Sequence, residues 1–304
     1  MSSSPAAVGE RTPPQWRADL ALALVAMVWG GTFVLVKDAL ADVSPVLFLA
    51  LRFSAAAIAL GIIYLRNPSG RGIHGGWTGG IVTGILLYFG YLLQTQGLRL
   101  TTPAKSGFIT GLYIVLVPLA SSFVYKRAPQ LSEVLGVAIA TTGLGLMTLT
   151  GRALEIGKGD LLTLGCAVVF TFHIMVLGYY SQRMAFEWLT LLQIGTCAAI
   201  GLLSFWWVET PVLHWNRQVV IAIAVTSLLA TALAFTVQTW AQRYTTPTRT
   251  ALIFALEPVF AWATSFVLTN EVLSRRAAIG ALFILAGILL VELKPIRRRP
   301  HQIE

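Results

Sequence analysis

Few side chains in this 304-residue sequence could carry chemistry, and the informative ones lie inside long apolar blocks. Glu257 is the clearest, about midway along such a block and followed by Pro258. Proline removes one helix hydrogen bond and frees a carbonyl, which suits a kinked segment lining a cavity. There the carboxyl could take up a proton or hold a solute; it could equally cap freed backbone groups or pair with Arg52. His173 is the only histidine well inside a block. It could bind solute or take up a proton near neutral pH, or serve as an interhelical hydrogen-bond partner. Lys105 and Arg249 each stand two residues after a Thr-Pro pair that should start a helix, with threonine as N-cap and proline in the first turn. A cation in a first turn opposes the helix dipole, so propensity does not explain it. Each could draw in a carboxylate or gate one mouth of a pathway, or snorkel to lipid phosphates.

Uncharged polar residues form stripes at helical spacing. Ser227, Thr231, Gln238 and Gln242 are separated by 4, 7 and 4 residues and share one face. That face should meet the bundle interior or a wet cavity, with Thr231 and Gln238 the better cavity candidates and interhelical bonding the alternative. Gly84, Tyr88, Tyr91 and Thr95 follow at 4, 3 and 4, and Ser106, Thr110 and Tyr113 at 4 and 3. Tyrosine offers an apolar face with a hydroxyl, suited to a small amphipathic solute. Tyr113 and Tyr88 are the deeper positions, and Tyr88 ranks ahead of Tyr91; ordinary packing would give the same stripes. No H-E-x-x-H, paired acid or phosphate-cradling glycine loop occurs, so no catalytic residue, metal site or cofactor is expected. Cys166 and Cys197 lie in apolar blocks and read as small core residues.

The elements that must position these residues are apolar helices. The chain is 56% hydrophobic and 12% charged, against about 25% charged in soluble domains. Ten blocks approach the roughly 20 residues needed to cross a bilayer: residues 18–37, 45–65, 75–96, 102–123, 132–150, 160–180, 186–208, 218–241, 247–268 and 273–293. None alternates as a barrel strand would. The expectation is an all-α integral membrane protein of ten transmembrane helices, with a short polar arm (1–17) and a basic tail (294–304). The first block is too long for a signal-peptide core. With both termini cytoplasmic, 12 basic residues fall inside and 7 outside, the sign the positive-inside bias requires. That bias explains the net charge of +9 without nucleic acid.

The blocks repeat. An offset of 144 residues aligns Gln94-Thr95 with Gln238-Thr239, Thr101-Thr102-Pro103 with Thr245-Thr246-Pro247, and Lys105 with Arg249. It continues through Gly136/Gly280 and Gly143/Gly287. An offset of 141 sets Trp29 opposite Phe170 and Thr32 opposite His173. Each repeat, 18–150 and 160–293, holds five spans, an odd number, so the second must enter the membrane inverted. Inverted repeats place solute sites near the midplane and expose them to alternate sides by rocking. Glu257 and His173 have no like residue in the other half and break the symmetry.

The sequence resembles the drug/metabolite transporter superfamily, specifically its ten-helix EamA-type carriers, from Ala18 to Leu293. The marks are Trp29-Gly30-Gly31-Thr32-Phe33 with Lys37, Leu51-Arg52-Phe53, Leu256-Glu257-Pro258, and the closing Gly280 and Gly287. Val117 rather than Glu precedes Pro118, so the Glu-Pro step occurs once. The resemblance implies a bacterial inner-membrane carrier exporting amino acids or related metabolites. A substrate-binding set of Trp29, Thr32, Tyr88, Gln94, Tyr113, His173, Thr231, Gln238 and Glu257 is expected, with Lys105 and Arg249 at the mouths. The partners expected are a small solute and the lipid bilayer, with proton coupling and a monomer or homodimer both open. A channel is the main rival and an intramembrane enzyme a weaker one.

Overall fold

The computed structural model describes residues 14–66, 76–101, 103–126, 128–148, 156–260, 263–264 and 274–292. The arm before residue 14, the tail from residue 293 and the Lys105 side chain lie outside the described residues. The helices are α1 (Gln15–Ala39), α2 (Pro45–Arg66), α3 (Thr78–Leu100), α4 (Pro103–Gly111), α5 (Tyr113–Tyr125), α6 (Leu131–Thr148) and α7 (Lys158–Ser181). They continue with α8 (Phe186–Val208), α9 (Arg217–Ser227), a π-helical segment (Leu228–Leu233), α10 (Ala234–Ala241), α11 (Pro247–Phe254) and α12 (Arg275–Glu292). Among the described residues there is no strand, only one isolated bridge between Val43 and Leu213. α1 begins at Gln15, so the end of the expected arm is already helical.

Among the described residues, seven helical stretches, from 15–39 to 217–241, are long and apolar enough to cross a membrane; α6 carries a shorter apolar run, Leu131–Leu146. Large apolar side chains cover the outside: Phe123 is 87% and Trp207 88% exposed. Water would penalise such a surface and lipid does not, which makes this a multi-pass membrane protein.

Four helix pairings set the architecture. α3 packs on α7 and α8, α2 on α8, and α6 on α12. The α6–α12 seam is held by glycines: an added Cβ at Gly136 would lie 2.8 Å from the Gly287 carbonyl oxygen, and one at Gly143 2.5 Å from that of Gly280. Only residues without side chains let two backbones approach so closely. The pairing is crossed. Gly136 meets Gly287 rather than its own 144-offset equivalent, and Gly143 meets Gly280, which is the contact pattern of two elements related by a two-fold axis.

The ends of the bundle are distinguished by their polar contacts. At the near side, where α1 begins, Asp19 meets Thr245 and Arg249. At the far side, where α1 ends, Lys37 Nζ donates to the carbonyls of Leu98, Arg99 and Thr101, capping the end of α3. Also at the far side, Thr101 donates to Asp160 at the start of α7, so α7 runs opposite to α3.

Two apolar blocks read as single helices are broken. The fourth interrupts at Leu112, between α4 and α5, and the ninth at Ala255–Leu256, after which helix resumes at Glu257. Leu112 and Leu256 are equivalent under the 144-residue offset. Pro258 explains the second break, since it cannot donate to the Phe254 carbonyl. Its counterpart Ile114 gives no such reason for the first. In the eighth block the π-helical segment inserts an extra residue, so Ser227–Gln242 is not the uniform α-helical face expected.

Candidate functional site

The two helix breaks face each other at the middle of the bundle, and a cavity of about 70 Å³ opens around them. Such a space holds a few water-sized groups. Its wall is built from residues related by the repeat: Trp29 and Phe170, Thr32 and His173, Tyr91 and Phe235, Gln94 and Gln238, Thr110 and Phe254, Tyr113 and Glu257. Two of these pairs touch. The Tyr91 and Phe235 rings have centroids 6.2 Å apart, and the Tyr113 hydroxyl donates to Glu257 Oε2 at 3.4 Å. Residues at equivalent positions of the two repeats thus meet in the wall of the cavity.

Glu257 is held loosely. Among the described residues its one hydrogen bond is the long contact from Tyr113, and it makes no ion pair with Arg52. The pairing of Glu257 with Arg52 entertained from the sequence is therefore overturned, because Arg52 is engaged elsewhere. Its Nε donates to Thr231 Oγ1 at 2.7 Å and its Nη2 to the Ala230 carbonyl at 3.2 Å and the Tyr91 hydroxyl at 3.3 Å. The guanidinium carbon also sits 4.6 Å from the Tyr91 ring centroid. Both Ala230 and Thr231 belong to the π-helical segment, and the Ala230 carbonyl accepts from Trp29 Nε1 as well, at 2.9 Å. The wider π turn thus anchors one cation and one indole at the cavity wall. Arg52 is 4% exposed and lines the cavity without a carboxylate at ion-pair distance among the described residues.

The remaining polar groups divide between cavity-facing and structural. His173 Nε2 meets Gln193 Oε1 at 3.1 Å, and Gln193 Nε2 donates to Thr239, so the imidazole lines the cavity while fixed from behind. Gln238 Nε2 donates to Gln242, but its buried Oε1 has no hydrogen-bond partner among the described residues. Gln242 Nε2 donates to the Ile174 carbonyl, which ties α10 to α7 on the near side.

Of the expected set, Trp29, Thr32, Gln94, Tyr113, His173, Gln238 and Glu257 come together at the cavity. Thr231 stands behind it, holding Arg52. Tyr88 is apart, bonded to Ser204 on α8; Tyr91, ranked lower from the sequence, faces the cavity instead. The two tyrosines are three residues apart, and helix rotation against α7 decided between them. Arg249 does not snorkel to lipid: it is 7% exposed, with Nη2 2.7 Å from Asp19 Oδ2. Its helix start is as expected, with Thr246 Oγ1 accepting from Arg249 N and Pro247 in the first turn. Sequence reasoning missed Asp19 and the cavity role of Arg52. The 141-residue offset would have flagged Asp19, since it sets Asp19 opposite Asp160.

Comparison with known proteins agrees with this architecture. The family profile described as the EamA-like transporter family matches twice, at residues 16–149 and 157–293. An uncharacterized transporter of Archaeoglobus fulgidus is 36% identical over 281 residues, covering 91% of this chain and 86% of its own. The uncharacterized transporter YvbV of Bacillus subtilis is 25% identical, covering 92% of this chain and 93% of its own. One protein solved by crystallography superposes with a TM-score of 0.75 at 20% identity, covering 92% of this chain and 98% of that one, a likeness of fold.

Proposed function

The chain belongs to the EamA-like transporter family, and from that premise we propose that it exports a small zwitterionic metabolite, an amino acid or close relative, by alternating access. The carrier consists of ten transmembrane helices in two inverted repeats, 18–150 and 160–293, with both termini on the cytoplasmic face of the plasma membrane. The crossed Gly136–Gly287 and Gly143–Gly280 contacts and the helix breaks at equivalent positions support the inversion.

The observation that carries the substrate reading is a separated pair of charges in one cavity. Arg52 supplies a cation and Glu257 a carboxyl, and they do not neutralise each other. A solute with a carboxylate at one end and an ammonium at the other satisfies both at once. The Gln238 carbonyl oxygen accepts a further donor, and Trp29, Phe170 and Phe254 surround the solute's apolar part. A solute ammonium and a proton would compete for Glu257, which gives proton exchange a simple physical route.

A thermal-stabilisation screen of the purified protein tests this. Zwitterions should stabilise it, whereas analogues reduced to the carboxylate or the amine alone should not. Stabilisation by the amine and carboxylate analogues equally well would refute the charge-pair reading. In proteoliposomes the best zwitterion should show saturable counterflow, accelerated by an imposed pH gradient if a proton exchanges. Conductance that never saturates would make the protein a channel instead.

A further inference from the structure

Resting on the charge-pair reading of the same cavity, we propose that Trp29 is the size filter of the solute site and restricts it to zwitterions with the smallest side chains. Volume is the first observation. The cavity measures about 70 Å³, whereas an engineered protein cavity of ~150 Å³ holds a single benzene ring. Alanine already has as many non-hydrogen atoms as benzene. Its charged ends, however, seat more closely than carbon does, at ~2.8 Å from their partners against ~3.7 Å. Glycine or alanine therefore fits, and the side chain of leucine or phenylalanine does not.

Trp29 stands where that side chain would go. The carboxylate end of the solute lies at Arg52 and the ammonium end at Glu257, and the indole bridges the two. Its Nε1 donates at 2.9 Å to the Ala230 carbonyl, the oxygen that also accepts from Arg52 Nη2 at 3.2 Å. Its ring meets that of Phe254 edge-on, with centroids 4.9 Å apart, and Phe254 precedes Glu257 by three residues. In an amino acid the carbon bearing the side chain sits between the two charged ends. The indole is the wall at that point.

This wall does not yield. Trp29 packs on Phe235 at 5.4 Å between centroids, and Phe235 packs in turn on Tyr91 at 6.2 Å and His173 at 6.1 Å. Both of these rings meet Phe170, at 5.4 and 6.4 Å. Aromatic rings packed edge to face hold one another's orientation. Phe170 has no space to retreat into, because it presses on Gly90, where even an added Cβ would collide with its ring. The indole is fixed twice, by its ring contacts and by its N–H, so the cavity keeps its volume when a larger solute arrives.

Isothermal titration of the full chain with glycine, alanine, valine, leucine and phenylalanine tests the filter. In the wild type, affinity should fall by about tenfold or more from alanine to leucine, the scale of discrimination by pocket size. Trp29→Ala should reverse the order, with leucine and phenylalanine gaining about tenfold and glycine and alanine losing affinity. A merely structural tryptophan would weaken all five alike, and that result overturns the proposal. So does wild-type binding of leucine or phenylalanine as tight as that of alanine. Should Trp29→Ala misfold, Trp29→Phe keeps a ring against Phe254 and decides by the same criteria, with valine and leucine as the solutes gained. The same size series is also run as linear amines and as linear carboxylates, each lacking one charge. A size cut-off in those series without zwitterion binding rejects the zwitterion and keeps the filter. Absence of a cut-off, or of any binding, in all three series rejects the filter.

Discussion

The two places where the repeats meet are built on different rules. At the α6–α12 seam the contact is symmetric, with Gly136 on Gly287 and Gly143 on Gly280, small residues on both sides. At the cavity the equivalent positions touch but are unlike: Tyr113 against Glu257, Tyr91 against Phe235, with Thr32 and His173 both in the wall. A packing contact between the two copies only needs to let two backbones approach, so identical residues serve it. A solute without two-fold symmetry cannot be held by a symmetric site. Likeness is kept at the packing seam and largely given up in the wall of the cavity.

The largest expected effect breaks the binding half of this comparison. Arg52→Gln and Glu257→Gln should each weaken binding of the best solute by about a hundredfold or more, the scale for removing one partner of a desolvated charge pair. Isothermal titration checks this, and unchanged affinity in Glu257→Gln would remove the carboxyl from the site. Its folding stability should change little, since the carboxyl makes one long hydrogen bond. Next comes the seam. Gly143→Leu drives a side chain into the Gly280 carbonyl, and overpacking of this kind costs about 1–3 kcal/mol. Thermal unfolding in detergent should register that loss, and an unchanged midpoint would deny the close approach.

Smaller substitutions sharpen the asymmetry. Tyr113→Phe removes the hydroxyl that meets Glu257 and should lower affinity by roughly tenfold, the low end for one hydrogen bond to a charged group, as the 3.4 Å contact is long. The glutamines test a like pair in the cavity wall. Gln238→Leu deletes the buried, unpartnered Oε1 and should cost more binding than Gln94→Leu, by about threefold, which is under 1 kcal/mol. Equal effects would mean that the solute sees this pair symmetrically.

Much of this was legible in the chain itself. Apolar blocks separated by short polar connections specify a helical membrane protein because lipid leaves the backbone no other way to satisfy its hydrogen bonds. The 144-residue offset identified Gln94 with Gln238, because a duplicated chain keeps its spacing even when its residues diverge. Pro258 announced a break through its missing N–H.

Tertiary structure decided the rest. Which of Tyr88 and Tyr91 faces the cavity depends on how α3 is rotated against α7, and a helical stripe spans both. Arg52 became part of the site only because a π turn in a helix 179 residues away offers Ala230 and Thr231 to hold it. The Asp19–Arg249 pair joins residues 230 apart. Spacing along the chain determines which residues share a helix face, but partners across a bundle are chosen by packing, and packing is a property of the folded whole.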